Sequence, residues 1–467
     1  MRPPSPAPPA PPPASAPPAV YRPRHPERTA TYRLLERHFD PYVRAHEERF
    51  EERHGALRAV VRRSVTQYLD CGRLMGGFAR IRCPTCHAEH LLAFSCRTRN
   101  LCPSCQAKRS ALFAERLRQQ IVAPVPQRHV VFTIPRVLRG LFERERALLG
   151  LLARTAYATL ARVLRAAGAA GAVRRAVPGV VASIQTFGSY ANFHPHIHAL
   201  VTEGVFAHDG TFHPVAWPPP GVLEEAFRRL LLTALQRAQR LSESFFESLL
   251  SWRHSGFSVH AEQRLEASEG GRLERLGRYV TRPALAAGAV TLREDGRVEV
   301  ATPPDPHTGS ESLVLDPLDF VHAVVTQIPD ARKHLVRNYG AYSHRFRGRV
   351  RGLKPPEAAA AAPAAPGAPA PSQPGSVAPP SDAAPAPTRA PTVAAEPGSP
   401  EARRRSAWAR LLAKVFEVDP LRCPRCRTEM KVVAWITDSA VIDRILAHRR
   451  QAGLESPFDA RGPPAPG

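Results

Sequence analysis

Residues 354–400 constrain this chain more than any other stretch. They run from KPPEAAAAAPAAPGAPAPSQPG to TVAAEPGSP and are dominated by proline and alanine. Such a run favours extended, solvated backbone and has no apolar face to bury. One uninterrupted core across all 467 residues is therefore excluded. The sequence predicts a disordered Pro/Ala linker over 351–400 and a small separate unit over 401–455. A second proline-rich run, residues 3–19, predicts a disordered tail over 1–29. The stretch left between them is long enough for two domains at roughly 150 residues each.

Charge narrows the partner. Lys and Arg number 65 against 41 Asp and Glu, a net +24. An arginine-rich surface of that sign points to a polyanion, because phosphates release counterions to it. The N-terminus has prolines where a secretory signal needs an apolar segment, so a cytoplasmic location is expected. The apolar stretch 147–173 carries Arg154, Arg162 and Arg165, which suits a soluble helix and no membrane partner.

In such a chain, eight cysteines at these spacings indicate metal rather than disulfides. Cys83 and Cys86 form one Cys-x-x-Cys, and Cys102 and Cys105 form another. Two such knuckles complete a tetrahedron, so the spacing predicts one structural Zn²⁺ held by these four sulfurs in a ribbon. Four sulfur ligands leave no position for a substrate. Cys71 and Cys96 are left over, available as substitutes or for a second site with His87 or His90. Cys423 and Cys426 make a third pair, with no later pair in the chain to complete it.

Elsewhere the pattern alternates helices and strands. Residues 30–70 have helical period, with Leu34, Leu35, Phe39 and Val43 on one stripe. Residues 106–121, 136–170 and 221–250 also read as helical. Strands are expected at 127–135, 179–189, 196–206 and near FSVHAEQRL, with a hairpin over 289–300 around Asp295-Gly296. That mixture predicts an α+β fold with an antiparallel sheet.

Two sites stand out within it. Residues 192–201 read NFHPHIHALV. Side chains alternate along a strand, so His196 and His198 share a face while Ile197 enters the core. Gln185, on the preceding strand, is expected opposite His198. The second site is Tyr279 in a short helix over 271–285. Arg275 and Arg282 lie on its face, and Leu273, Leu276 and Val280 lie on the other. Two guanidiniums so placed can hold the oxygens of a phosphodiester.

Several blocks together resemble the rolling-circle transposases of the insertion-sequence 91 family, members of the HUH endonuclease class. YLDCGRLMGGFARIRCPTC…LAFSCRTRNLCPSC is similar to their zinc-binding domain. SIQTFGSYANFHPHIHALVTEGVF resembles the His-hydrophobe-His block, and RLGRYVTRPAL the tyrosine block. LVRNYGAYSHRFRG and the segment from WARLLAKVFEVDPLRCPRC to AVIDRILAH are similar to later segments. The resemblance implies a helical and zinc-binding domain over 30–118 and an antiparallel-sheet HUH catalytic domain over 119–350. It implies a bacterial, nucleoid-associated enzyme that nicks and rejoins single-stranded DNA at transposon ends and target. Tyr279 would be the nucleophile and form a 5′-phosphotyrosine. His196, His198 and Gln185 would hold Mg²⁺ or Mn²⁺, with Glu203 and His194 as substitutes for the third ligand. Many family members carry two tyrosines four residues apart. Here the earlier position is Arg275, which resembles a single-tyrosine branch. Tyr339 and Tyr342 lie outside the matching block. A non-catalytic zinc-ribbon regulator and a plasmid-type replication initiator are the alternative readings.

Overall fold

A computed structural model of the chain describes residues 26–168, 175–188, 192–285, 288–304, 308–350 and 421–453. Of the tail expected over 1–29, residues 1–25 lie outside the described residues, while Pro26–Arg28 form a 3₁₀ turn and Thr29 caps the first helix. The expected linker and the stretch to residue 420 also lie outside the described residues.

Helix α1 (Ala30–His46) starts at Thr29, whose hydroxyl accepts the N–H of Tyr32. It buries Tyr32, Leu34, Leu35, Phe39 and Tyr42. A π-turn at Glu47–Glu51 leads to α2 (Glu52–His54), and α3 (Ala59–Leu69) follows. Strands β1 (Phe78–Arg82) and β2 (Glu89–Ala93) then pair antiparallel. Helix α4 (Pro103–Arg116) begins beside the second cysteine pair, with Pro103 in its first turn. A missing N–H costs nothing at that position.

Next come β3 (Gln127–Thr133), α5 (Arg136–Arg144), α6 (Leu148–Ala167), β4 (Gly179–Phe187) and β5 (Phe193–Thr202). A small hairpin of β6 (Gly204–Phe206) and β7 (Phe212–Pro214) precedes α7 (Pro220–Arg237), α8 (Glu243–Ser251), β8 (Ser258–Leu265) and α9 (Gly270–Tyr279). A three-stranded meander of β9 (Val290–Leu292), β10 (Val298–Ala301) and β11 (Ser312–Leu315) leads to α10 (Pro317–Thr326), β12 (Val336–Gly340) and α11 (His344–Arg349). The central sheet has the order β12-β4-β5-β3-β8, and every neighbouring pair is antiparallel. The fold is the mixed α+β type with antiparallel sheets that the pattern predicts.

Strand alternation gives this sheet two unlike faces. Val130, Phe132, Val180, Ala182, Ile184, Ile197, Ala199 and Val201 form one face, sealed by residues of α5, α6, α7 and α8. On the opposite face are His129, Ser183, Gln185, His196 and His198, under the α9 end.

Two features depart from the expected division. The meander and α10 pack on α1 and α3 rather than on the central sheet: Val298, Val300, Phe320 and Val321 share a core with Leu35, Phe39 and Val65. At that junction His54 Nδ1 meets Glu143 of α5 at 3.1 Å, and Tyr42 Oη meets His322 of α10 at 3.1 Å. The C-terminal segment is not separate either. Strand β13 (Lys431–Ile436) pairs antiparallel with β1, giving the order β13-β1-β2. A last helix, Ser439–Gln451, buries Ile442 against Phe78 and Leu91. The physical reason is the exposed edge that β1 would otherwise present.

Candidate functional site

The site is built on β3, β4 and β5. His196 and His198 point to one face, and Ile197 is fully buried on the other, as the alternation predicts. The two Nε2 atoms are 3.2 Å apart. His196 turns its Nδ1 to the carbonyl of His194 at 2.8 Å, which assigns the proton to Nδ1 and leaves Nε2 with a lone pair. His198 Nδ1 lies 3.0 Å from Nε2 of His129 on β3. Burial pushes His198 down to about 2, helped by His196, His129 and Arg282. It pushes His196 down as well. Both imidazoles are therefore neutral near pH 7, the form that ligates a metal. Metal–nitrogen bonds of about 2.1 Å put two ligand nitrogens on one ion about 3.0–3.4 Å apart, and the observed spacing falls in that interval.

Gln185 was expected opposite His198. It pairs instead with His196, and Ser183 faces His198. The connecting residues 189–191 lie outside the described residues, and the register of the flanking strands fixes the offset. The carboxamide Nε2 of Gln185 donates to the carbonyl of Val280 at 2.9 Å. Its Oε1 is buried with no hydrogen-bond partner among the described residues, as is Nε2 of His194. The Gln185 oxygen fits a donor set that a cation would complete, whereas His194, a substitute ligand by sequence, does not gather with His196 and His198 into a metal-ligating group. Glu203, a substitute ligand by sequence, is instead paired with Arg128 and Arg264.

Tyr279 ends α9, 44% exposed. Its ring meets His198 edge-on with centroids 5.4 Å apart, and His129 at 6.5 Å. The Arg282 guanidinium lies 4.8 Å from its centroid, a cation–π arrangement. Arg275 is exposed one turn earlier on the same helix. The structure thus brings His196, His198, Gln185, Tyr279 and Arg282 together. Tyr342 is fully buried, its hydroxyl accepting from Gln127 Nε2 at 2.8 Å, and Tyr339 stacks on Tyr157; these are packing residues.

The end of α9 is tied down by side chains from two directions. Ser183 and Gln185 donate to the Val280 carbonyl. Gln106 and Ser110 of α4 both donate to the Thr281 carbonyl at 2.6 Å. These bonds satisfy carbonyls that a helix end leaves free. Gly277 allows close approach: a Cβ there would sit 3.0 Å from Cα of Ala114 on α4. His129, Ser183, Gln106 and Ser110 were not singled out from sequence. For His129 the signal was available, since it alternates with Val130 and Phe132 in QRHVVFT. Beside the site a cavity of about 480 Å³ is lined by Gln185 and Arg282 and by Arg99, Arg109, Arg116 and His344.

The cysteines divide differently from the spacing-based expectation. Cys83 and Cys86 do not share a site with Cys102 and Cys105. One cluster is Cys71, Cys96, Cys102 and Cys105; the other is Cys83, Cys86, Cys423 and Cys426. In the first, sulfur separations are 3.5 Å (Cys96–Cys105), 3.7 Å (Cys71–Cys102) and 3.9 Å (Cys71–Cys105). Zinc–sulfur bonds of about 2.3 Å set tetrahedral sulfurs about 3.8 Å apart, so this cluster fits a structural zinc. The correction has a simple cause. Cys102 and Cys105, at the start of α4, join the core of α1 and α3 beside Cys71, whereas Cys83 belongs to the separate core of the β1–β2 hairpin.

No helix among the described residues is long and apolar enough to cross a membrane. A family profile described as a putative transposase matches residues 179–349, and one described as a transposase zinc-binding domain matches residues 42–134. Among curated proteins, "Putative transposase y4qJ" of Sinorhizobium fredii is 27% identical over 324 residues, covering 65% of this chain and 80% of its own length. "Transposase for insertion sequence element IS801" of Pseudomonas savastanoi pv. phaseolicola is 27% identical over 319 residues, covering 63% and 73%. No solved structure matches the chain. Both profiles fall on the two regions built above, the cysteine-rich domain and the histidine–tyrosine sheet, and with these relatives they place the chain in the insertion-sequence 91 family of transposases.

Proposed function

We propose that this transposase nicks and rejoins single-stranded DNA at element ends through a 5′-phosphotyrosine on Tyr279, in rolling-circle transposition. One observation carries the reading: the Tyr279 ring touches His198 on the sheet face that also presents His196.

His196 and His198 through Nε2, with Gln185 Oε1, would hold one Mg²⁺ or Mn²⁺, and imidazole donors favour Mn²⁺ of the two. Bound there, the ion would polarise the scissile phosphate and ease departure of the 3′ oxygen. Tyr279 Oη forms a bond to phosphorus as the P–O3′ bond breaks. The phenol gives its proton to solvent and the 3′ oxygen takes one up. Arg282, beside the ring, is placed to hold non-bridging oxygens, and Arg275 to meet the strand one helical turn away. The basic cavity continues that path for the sugar–phosphate backbone. The covalent link conserves the bond energy, so attack by a second 3′-OH reverses the step and joins strands without ATP. With arginine at position 275, one tyrosine serves both steps.

The test is incubation of the full chain with labelled single-stranded oligonucleotides carrying element ends and Mn²⁺, then denaturing electrophoresis. A labelled band at the mass of the protein plus DNA supports the reading. DNA binding without any adduct would instead favour a non-catalytic regulator. A plasmid-type replication initiator would cut origin sequence and leave element ends intact.

A further inference from the structure

We propose that Cys83, Cys86, Cys423 and Cys426 bind a second structural zinc ion, a clasp that fixes the C-terminal segment onto the N-terminal β1–β2 ribbon. The zinc-binding match at residues 42–134 contains only the first half of this site, Cys83 and Cys86, and Cys423 and Cys426 lie beyond it.

Sulfur geometry is the first argument. Cys83–Cys426 is 3.4 Å, and Cys86–Cys423 and Cys86–Cys426 are each 3.5 Å. These separations are far longer than a disulfide of about 2.05 Å and close to a tetrahedral thiolate edge. Two long-separated halves meet here, since Cys86 and Cys423 are 337 residues apart.

The two halves are also built alike. CPTCHAE at 83–89 and CPRCRTE at 423–429 share the pattern Cys-Pro-x-Cys-x-x-Glu. The residue after each second cysteine is left-handed, His87 at φ 59° and Arg427 at φ 62°. In each, the first cysteine's N–H donates five residues on: Cys83 to Ala88 at 2.8 Å, and Cys423 to Thr428 at 2.9 Å. These are paired knuckles of one site. Cys102-Pro-Ser-Cys105 has the same spacing but continues into α4. The Thr428 hydroxyl lies 3.2 Å from Cys83 Sγ and 3.0 Å from Cys426 Sγ, a second layer that bridges the two halves.

Packing says why a metal is needed. Without β13, the β1–β2 pair is a two-stranded hairpin, which is marginal in water. Yet no β13 side chain is fully buried. The buried apolar anchors from this segment are Leu421, Met430 and Ile442, with Val432, Ile436, Ile445 and Leu446 only partly buried beside them. A piece this small ordinarily requires a metal or a covalent tie to hold its fold.

Zinc per chain, read by native mass spectrometry on the full protein, tests the clasp. Two ions are expected. Cys423→Ser with Cys426→Ser should bind one. Adding Cys83→Ser and Cys86→Ser should still leave one, because both pairs serve the same ion. Two ions in the double variant would overturn the proposal. The unmutated chain gives an answer independent of variant folding. During stepwise chelation with alkylation, Cys83, Cys86, Cys423 and Cys426 should become reactive as one group, and Cys71, Cys96, Cys102 and Cys105 as another. Release of Cys83 and Cys86 together with Cys102 and Cys105, with Cys423 and Cys426 reactive throughout, would refute it.

Discussion

The two faces of the central sheet come from the same strands and differ in nearly everything else. On one face Val130, Phe132, Ile197 and Ala199 are wholly buried under helices. On the other, one residue along in each strand, His129, His196 and His198 face one another through imidazole nitrogens beside an exposed tyrosine. The dry face supplies the rigidity, and the polar face carries the histidines and tyrosine of the proposed site. A reacting group must be held to a fraction of an ångström, and a close-packed core one peptide away is what holds it.

The largest expected effect belongs to the polar face. Tyr279→Phe should lower covalent adduct formation by about 10³-fold or more while oligonucleotide binding and the thermal midpoint stay at wild-type levels. Full adduct formation by that variant would move the nucleophile elsewhere.

Stability should separate the faces in the opposite sense. Ile197→Ala is expected to cost about 2–5 kcal/mol in chemical denaturation, because it opens a cavity in a filled core. His196→Ala with His198→Ala should cost about 2 kcal/mol or less and should abolish the rise in thermal midpoint that Mn²⁺ gives the wild type. Equal destabilisation by the two changes would mean that the histidines are structural.

A third test leaves both faces intact and moves only the helix. Gly277→Val forces α9 away from Ala114 and displaces Tyr279. Adduct yield should fall roughly 10–100-fold with the nucleophile still present. Unchanged yield would show that the α4–α9 contact does not position the tyrosine.

The smallest effect is at the junction of His54, Glu143 and His322. Burial pushes Glu143 up, but hydrogen bonds from His322 and His54 outweigh it and hold the carboxyl at about 2. Burial also pushes His322 down from 6.5. Both folded values are depressed, so both contribute stability at neutral pH that is lost as pH falls. The His322 part begins to go below about 6.5, and the Glu143 part between about 4.5 and 2. Glu143→Gln should remove the limb between about 4.5 and 2 and, because Glu143 holds His322 up, deepen the limb below about 6.5. A curve unchanged below pH 4.5 would remove Glu143 from that role.

Much of the proposed site was legible in sequence because its rules are local. His196 and His198 share a face because a strand repeats every two residues. The apolar stripe of Leu273, Leu276 and Val280 follows from the helical period, and it turns Tyr279 outward. Gln185 was found on the right strand but assigned the wrong partner, because register depends on a turn that periodicity does not specify. The alternation of His129 with Val130 and Phe132 marks its face, but that it meets His198 depends on which strands pair, and periodicity does not specify that.

The sequence by itself determined the principal helices, the strands β3, β4, β5 and β8, the basic character of the chain and which cysteines form Cys-x-x-Cys pairs. Each follows from interactions over a few residues. Only the tertiary structure decided that Cys102 and Cys105 join Cys71 and Cys96, and that Cys83 and Cys86 join a pair beyond the Pro/Ala stretch. Metal sites are closed by proximity in space. Once two chain segments lie side by side in a sheet, their separation along the sequence no longer restricts which thiolates can meet, because loop-closure entropy grows only logarithmically with length.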